Sequence, residues 1–213
     1  GARPVGIGLK EPWFPTAAAD FLDATRPPGK LFHAFHFGGY LAWRLKGVYP
    51  TFIDGRSDTI FPRDFIAAVG RAARDRVAFD DLTKKHDATI ALVSWSNRSP
   101  DWMHIAAAPD WRLVFWDDVS ALYVRETDAT REWLRRHAFR ALTVVNPPAF
   151  ISSANAATLS QLRADVDRNV AIAPRSARAH FVRSLYYKRI GDETTSRESE
   201  AAMKEILASR GVE

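Results

Sequence analysis

The chain has 213 residues, 46% hydrophobic and 26% charged, with a formal charge of +5 and no cysteine. That is length for one well-cored domain plus an appendage; no apolar run approaches the roughly 20 residues of a membrane span. Without cysteine, disulfides, thiolate metal sites and thiol nucleophiles drop out together. The positive balance does not mark nucleic acid, because basic residues are scattered and matched by acids, as in Arg63-Asp64, Arg74-Asp75-Arg76 and Arg197-Glu198.

Residues 1–12 lack the charged start, apolar middle and small-residue cleavage site of a signal peptide, so an export route would be encoded upstream. Residues 14–26 read as a helix, with Pro15 in its first turn, Ala18, Phe21 and Leu22 on one face, and Pro27-Pro28-Gly29 ending it. A strand over 30–35, broken by Gly38-Gly39, leads to a short helix carrying Tyr40, Leu41, Trp43 and Leu45. A second strand is expected over 51–54.

Pro62 opens a helix with Phe65, Ile66, Val69 and Ala73 at helical spacing, and a short helix follows over 79–86. The continuous apolar run 88–95 has the length of a strand buried on both faces. Ser99-Pro100-Asp101 is a start signal for a helix through Ala107. Residues 111–116 and 119–125 flank Asp117-Asp118 too closely for a parallel crossover, so they form an antiparallel hairpin.

The expected class is therefore α/β: a mixed, mostly parallel sheet flanked by helices, with a terminal antiparallel hairpin and an all-α tail. The α/β domain spans 1–126, a connecting segment with the breaker Asn146-Pro147-Pro148 spans 127–153, and helices fill 154–213. Tyr186-Tyr187 before Gly191-Asp192, and Ala201, Ala202 and Leu207 in the last helix, resemble a degenerate tetratricopeptide hairpin. Docking of this tail on the α/β domain is the simpler expectation than a free peptide-binding groove.

Asp54, Arg56 and Asp58 put two carboxylates and a guanidinium at a strand end, where α/β sheets bind ligands. They can hold Mg²⁺ or clamp a phosphate. A structural account competes on equal terms: Asp54 accepts backbone N–H groups in the turn, Gly55 supplies a positive φ, and Arg56 neutralises an acid leaving the core. Spacing alone favours the structural account.

His33 and His36 are three apart, which on an extended strand points them to opposite faces and defeats a shared metal. Phe37-Gly38-Gly39-Tyr40 is a turn whose N–H groups can receive a phosphate, but it lacks the full dinucleotide-binding and P-loop patterns. Close packing explains its glycines equally well. There is no Gly-x-Ser-x-Gly elbow. Trp13, Trp43, Trp95, Trp102, Trp111 and Trp116 read as core rather than as a sugar-stacking platform. No metal and no cofactor are expected.

Taken in order, Phe14-Pro15 with Ala18 and Phe21-Leu22, LFHAFHFGGYLAWRL, YPTFIDGRSD and APDWRLVFWDDVSALYVR resemble a soluble segment at the C-terminal end of bacterial polytopic membrane proteins. Those proteins are similar to glycosyltransferases that use polyprenyl-phosphate sugars, the GT-C type. The resemblance covers about residues 5–125 and is sharpest at Gly-Gly-Tyr-Leu and Ile-Asp-Gly-Arg.

It implies an extracytoplasmic, periplasmic domain whose first partner is the membrane-embedded part of the same polypeptide, with a glycan or lipid-linked sugar as a further partner. It also implies that the fragment is non-catalytic and positions an acceptor or partner in envelope glycoconjugate assembly. His36, Gly38, Gly39, Tyr40, Asp54, Gly55 and Arg56 match the characteristic blocks, with no role attached. Two alternatives stand beside it: a self-contained enzyme or ligand-binding domain using Asp54, Arg56 and Asp58, and an interaction module acting through the tail.

Overall fold

The computed structural model describes residues 13–95 and 101–211, and the side chains of all of these except Ser57 and Asp58. The start signal at Ser99-Pro100 lies outside the described residues. Helix α1 (Thr16–Thr25) leads to strand β1 (Lys30–His33), a 3-10 turn (Phe35–Phe37) and α2 (Gly38–Arg44). A single helical turn, α3 (Ser57–Ile60), precedes α4 (Arg63–Ala72) and α5 (Arg76–Lys85). Then come β2 (Ala88–Ser94), the short α6 (Met103–Ala106), and the hairpin of β3 (Trp111–Trp116) and β4 (Ser120–Arg125). The C-terminal part is helical: α7 (Arg131–His137), α8 (Pro147–Ser153), α9 (Ala156–Ile172), α10 (Ala177–Arg189) and α11 (Glu193–Ser209).

The sheet has four strands in the order β1-β2-β4-β3, with β1 and β2 parallel and the other two pairs antiparallel. The expected α/β class with its terminal hairpin and all-helical tail is present, while the parallel part is one pair rather than most of the sheet. The difference lies at residues 51–54, which are not a strand. The Phe52 N–H donates to the His33 side chain instead of to a neighbouring strand. Gly38 of α2 packs directly against the Ile53 carbonyl. An imidazole and a helix occupy the place of a ladder partner.

Each sheet face is covered. Phe79 of α5 packs on Phe32 and Trp111, on one side. On the other, Phe21 of α1 meets Phe115 and Trp133. Trp111 and Phe115 share strand β3 and alternation alone would place them on one face. The register shift between Leu113 and Phe115 inserts one residue and turns Phe115 to the α1 side.

Asn146-Pro147-Pro148 starts a helix where a breaker was expected. Asn146, at φ 42°, caps α8 by accepting from the Ala149 N–H, and the two prolines fill positions whose N–H groups have no intrahelical acceptor. Asn155, Ser176 and Asp192 cap α9, α10 and α11 in the same way. Side-chain caps let four helices begin within a short stretch of chain.

Candidate functional site

The two sharpest sequence blocks converge on one spot. Asp54 is buried at 3% exposure, and its carboxylate accepts the Arg56 N–H (2.9 Å) and the Arg56 Nε (3.0 and 3.2 Å) and Nη2. The guanidinium holds the Asp54 carboxyl below the usual carboxylate range. Both oxygens face the arginine, and among the described residues each accepts two hydrogen bonds from it.

Gly55 does not adopt a positive φ, contrary to expectation. The Asp54 carboxylate already closes the turn and the chain runs directly into α3, so no left-handed residue is needed. The Asp58 side chain lies outside the described residues.

His33 is fully buried, its Nε2 accepts from Phe52 N–H at 3.0 Å, and its Nδ1 lies 3.1 Å from the Ala34 carbonyl. With Nε2 accepting, Nδ1 carries the proton, and both nitrogens are used. The backbone does bend after His33, into the 3-10 turn, but His33 has no lone pair left for a metal. His36 and Gly39 are exposed, while Tyr40 is buried, with its ring against Phe14 and Trp43. The Gly38 N–H donates to the Phe35 carbonyl, which removes it from any phosphate cradle. Among the described residues no group of three or more His, Asp or Glu is placed to hold a metal.

The tryptophans divide. Trp95, Trp102, Trp111 and Trp116 are buried, whereas Trp13 and Trp43 stand 69% and 67% exposed. Four core rings leave no extended sugar platform.

A cavity of about 620 Å³ opens elsewhere, between α1, the β3–β4 turn, the end of α7 and the helical tail. From α1 and the turn before it come Phe14, Ala17 and Phe21; the hairpin supplies Asp117, Asp118 and Val119. The remaining wall carries Arg136, His137, Arg168, Ile172, Arg175 and Arg210. Its volume lies in the range of small-molecule sites.

Two aspartates at its edge have structural duties. Asp118 accepts the Ala177 and Arg178 N–H groups (2.9 and 2.7 Å), the Ser176 hydroxyl (3.2 Å) and Arg210 Nη1 (2.7 Å), so the hairpin turn caps α10 and fastens the tail. Asp117 accepts the Val119 and Ser120 N–H groups inside its own turn. A third acid deeper in the tail, Asp165, accepts the backbone N–H groups of Arg140, Ala141 and Leu142 at 2.6–2.9 Å. The tail is thus tied to the β3–β4 turn through Asp118 and to the segment after α7 through Asp165.

Arg168 is different in kind. Its Nη groups donate to the carbonyls of Arg136 and His137 at the end of α7, its guanidinium lies 4.3 Å from the centre of the Phe139 ring, and its Nε is buried without an acceptor. Burial lowers its pKa from the ordinary arginine value.

Sequence reading did not find this cavity. Its charged residues come from α1, the hairpin, α7, α9, the α9–α10 turn and the C-terminal end, with no spacing that links them. Asp117-Asp118 was visible only as a turn.

His33 and Asp117 give the fold opposed pH dependences. Burial pulls His33 down from 6.5 to about 4, against the Ala34 carbonyl and Asp54; burial pushes Asp117 up from 3.8 to about 6, against its own turn N–H groups. Unfolded His33 binds a proton more readily than folded, so its stabilisation is complete above pH 6.5 and is lost as the pH falls toward 4. Folded Asp117 binds a proton more readily than unfolded, so stability is gained as the pH falls through 6 toward 3.8. Each shift is worth on the order of a few kcal/mol and the two act in opposite directions. Urea unfolding of Asp117→Asn is therefore expected to show stability falling more steeply between pH 6 and 4 than the parent's. A variant with the parent's slope over that range would remove Asp117 from this balance.

Comparison with protein-family models gives no match to the chain. Comparisons with curated proteins and with solved structures give none either.

Proposed function

We propose that the chain is a non-catalytic, extracytoplasmic domain of a glycosyltransferase-like membrane protein, and that it positions an acceptor or a partner during envelope glycoconjugate assembly. The observation that carries the non-catalytic part is the Asp54 turn. A general acid, base or metal ligand needs an open carboxylate oxygen, and both oxygens of Asp54 are committed to Arg56. The membrane setting is supported by the resemblance of the Gly-Gly-Tyr-Leu and Ile-Asp-Gly-Arg blocks. Among the described residues no helix is long and apolar enough to cross a membrane. The interaction module acting through a free tail has less support, because Asp118 fastens the tail to the hairpin and Asp165 fastens it to the segment after α7.

Topology tests the setting. Gly39 is exposed and a side chain there meets nothing within 4 Å. In the full-length protein Gly39→Cys should be labelled by a membrane-impermeant maleimide in cells with a permeabilised outer membrane, above the level of the unsubstituted protein. Labelling only after lysis of the cytoplasmic membrane would place the domain in the cytoplasm and overturn the reading.

A further inference from the structure

The cavity beneath the tail combines features that the Asp54 turn lacks: volume, apolar walls and a half-buried cation, Arg168, in its lining. Phe14, Ala17, Phe21, Val119 and Ile172 present hydrocarbon to it. Its acids are already engaged. Asp20 pairs with Arg44 at 2.7 Å, Asp118 with Arg210 and the α10 N-terminus, and Asp117 with its own turn. Arg168 is held in place by two carbonyls and a phenyl ring, with the Asp165 charge near enough to act on it without a direct ion pair. No carboxylate forms an ion pair with it among the described residues, and its Nε–H has no acceptor. Arg136, on the rim, reaches Glu132 only at 3.8 Å.

A half-buried guanidinium with no ion-pair partner among the described residues calls for an oxyanion, since charge-assisted bonds recover the desolvation cost of both groups. The hydrocarbon around it calls for an apolar body on the same molecule. We propose that this cavity binds a small amphipathic anion, with a carboxylate or phosphate head on Arg168 and an aliphatic body along α1. The site is independent of the membrane reading and holds whichever compartment the domain occupies.

Calorimetric titration of the 213-residue chain with octanoate, octyl phosphate, inorganic phosphate and octanol tests it. Saturable binding of octanoate or octyl phosphate is expected, with inorganic phosphate and octanol each about tenfold weaker or worse, and the stronger of the two amphiphiles identifies the head group. Arg168→Gln should weaken binding about tenfold or more, the equivalent of one charge-assisted contact. Ala17→Trp, which fills the cavity and leaves Arg168 in place, should abolish binding while unfolding stays cooperative. If Arg168→Gln fails to fold, Ala17→Trp decides alone. No saturable binding, phosphate or octanol binding as tightly as the amphiphiles, or affinity untouched by Ala17→Trp would each overturn the proposal.

Discussion

Gly38→Ala should destabilise the fold by about 3 kcal/mol or more, as overpacking against a backbone does. A Cβ there would stand 1.9 Å from the Ile53 carbonyl oxygen and 2.9 Å from both Cα and Cβ of Asp54. None of those atoms is the end of a flexible side chain, and the segment that would have to move is pinned by His33 and by the Asp54–Arg56 pair. Gly39→Ala is the control. It sits in the same helix, is exposed and meets nothing within 4 Å, so it should stabilise by about 0.5–1 kcal/mol through helix propensity. Urea midpoints of the two variants should move in opposite directions with unchanged slopes. Equal effects would mean that residues 52–56 do not lie against α2.

Asp165→Ala is the second large effect. One carboxylate oxygen satisfies three successive N–H groups, and Asp165 itself is only 3% exposed. Alanine leaves those donors without an acceptor, at a cost of about 3 kcal/mol or more. Hydrogen exchange locates the damage: amides 140–142 should lose protection first, followed by α9, while β2 and β4 keep theirs until global unfolding. Uniform loss of protection across the sheet would show that tail and sheet unfold as one unit.

Much of the architecture was legible because it rests on local signals. The apolar run of β2, the close Asp117-Asp118 hairpin and the proline at the start of α4 each specify an element without help from the rest of the chain. Residues 51–54 show where this fails. Phe52 and Ile53 have strand chemistry, but whether they pair depends on what lies beside β1, and there His33 and Gly38 arrive first. Asn146 similarly carries both a breaking and a capping signal, and the acceptor geometry of its side chain decides between them.

The polar blocks were legible as a unit of sequence, and their chemistry depended on burial. Asp54 reads alike as a metal ligand or a turn acid until its exposure is known. The cavity was not legible at all, because Arg168 owes its character to two carbonyls of α7 and a ring at Phe139. Such long-range contacts leave no periodicity to read.

The claim on which the account turns is that the Asp54–Arg56 pair holds the fold together and performs no chemistry. Arg56→Ala in the full-length protein tests it most directly, since the Arg56 side chain is 64% exposed and its removal creates no steric conflict. A lower unfolding temperature of the domain is expected, with the glycosyl transfer proposed for the full-length protein retained wherever it remains folded. A variant that keeps its folded stability but loses that activity a hundredfold or so, a loss on the scale of removing a catalytic group, would contradict it.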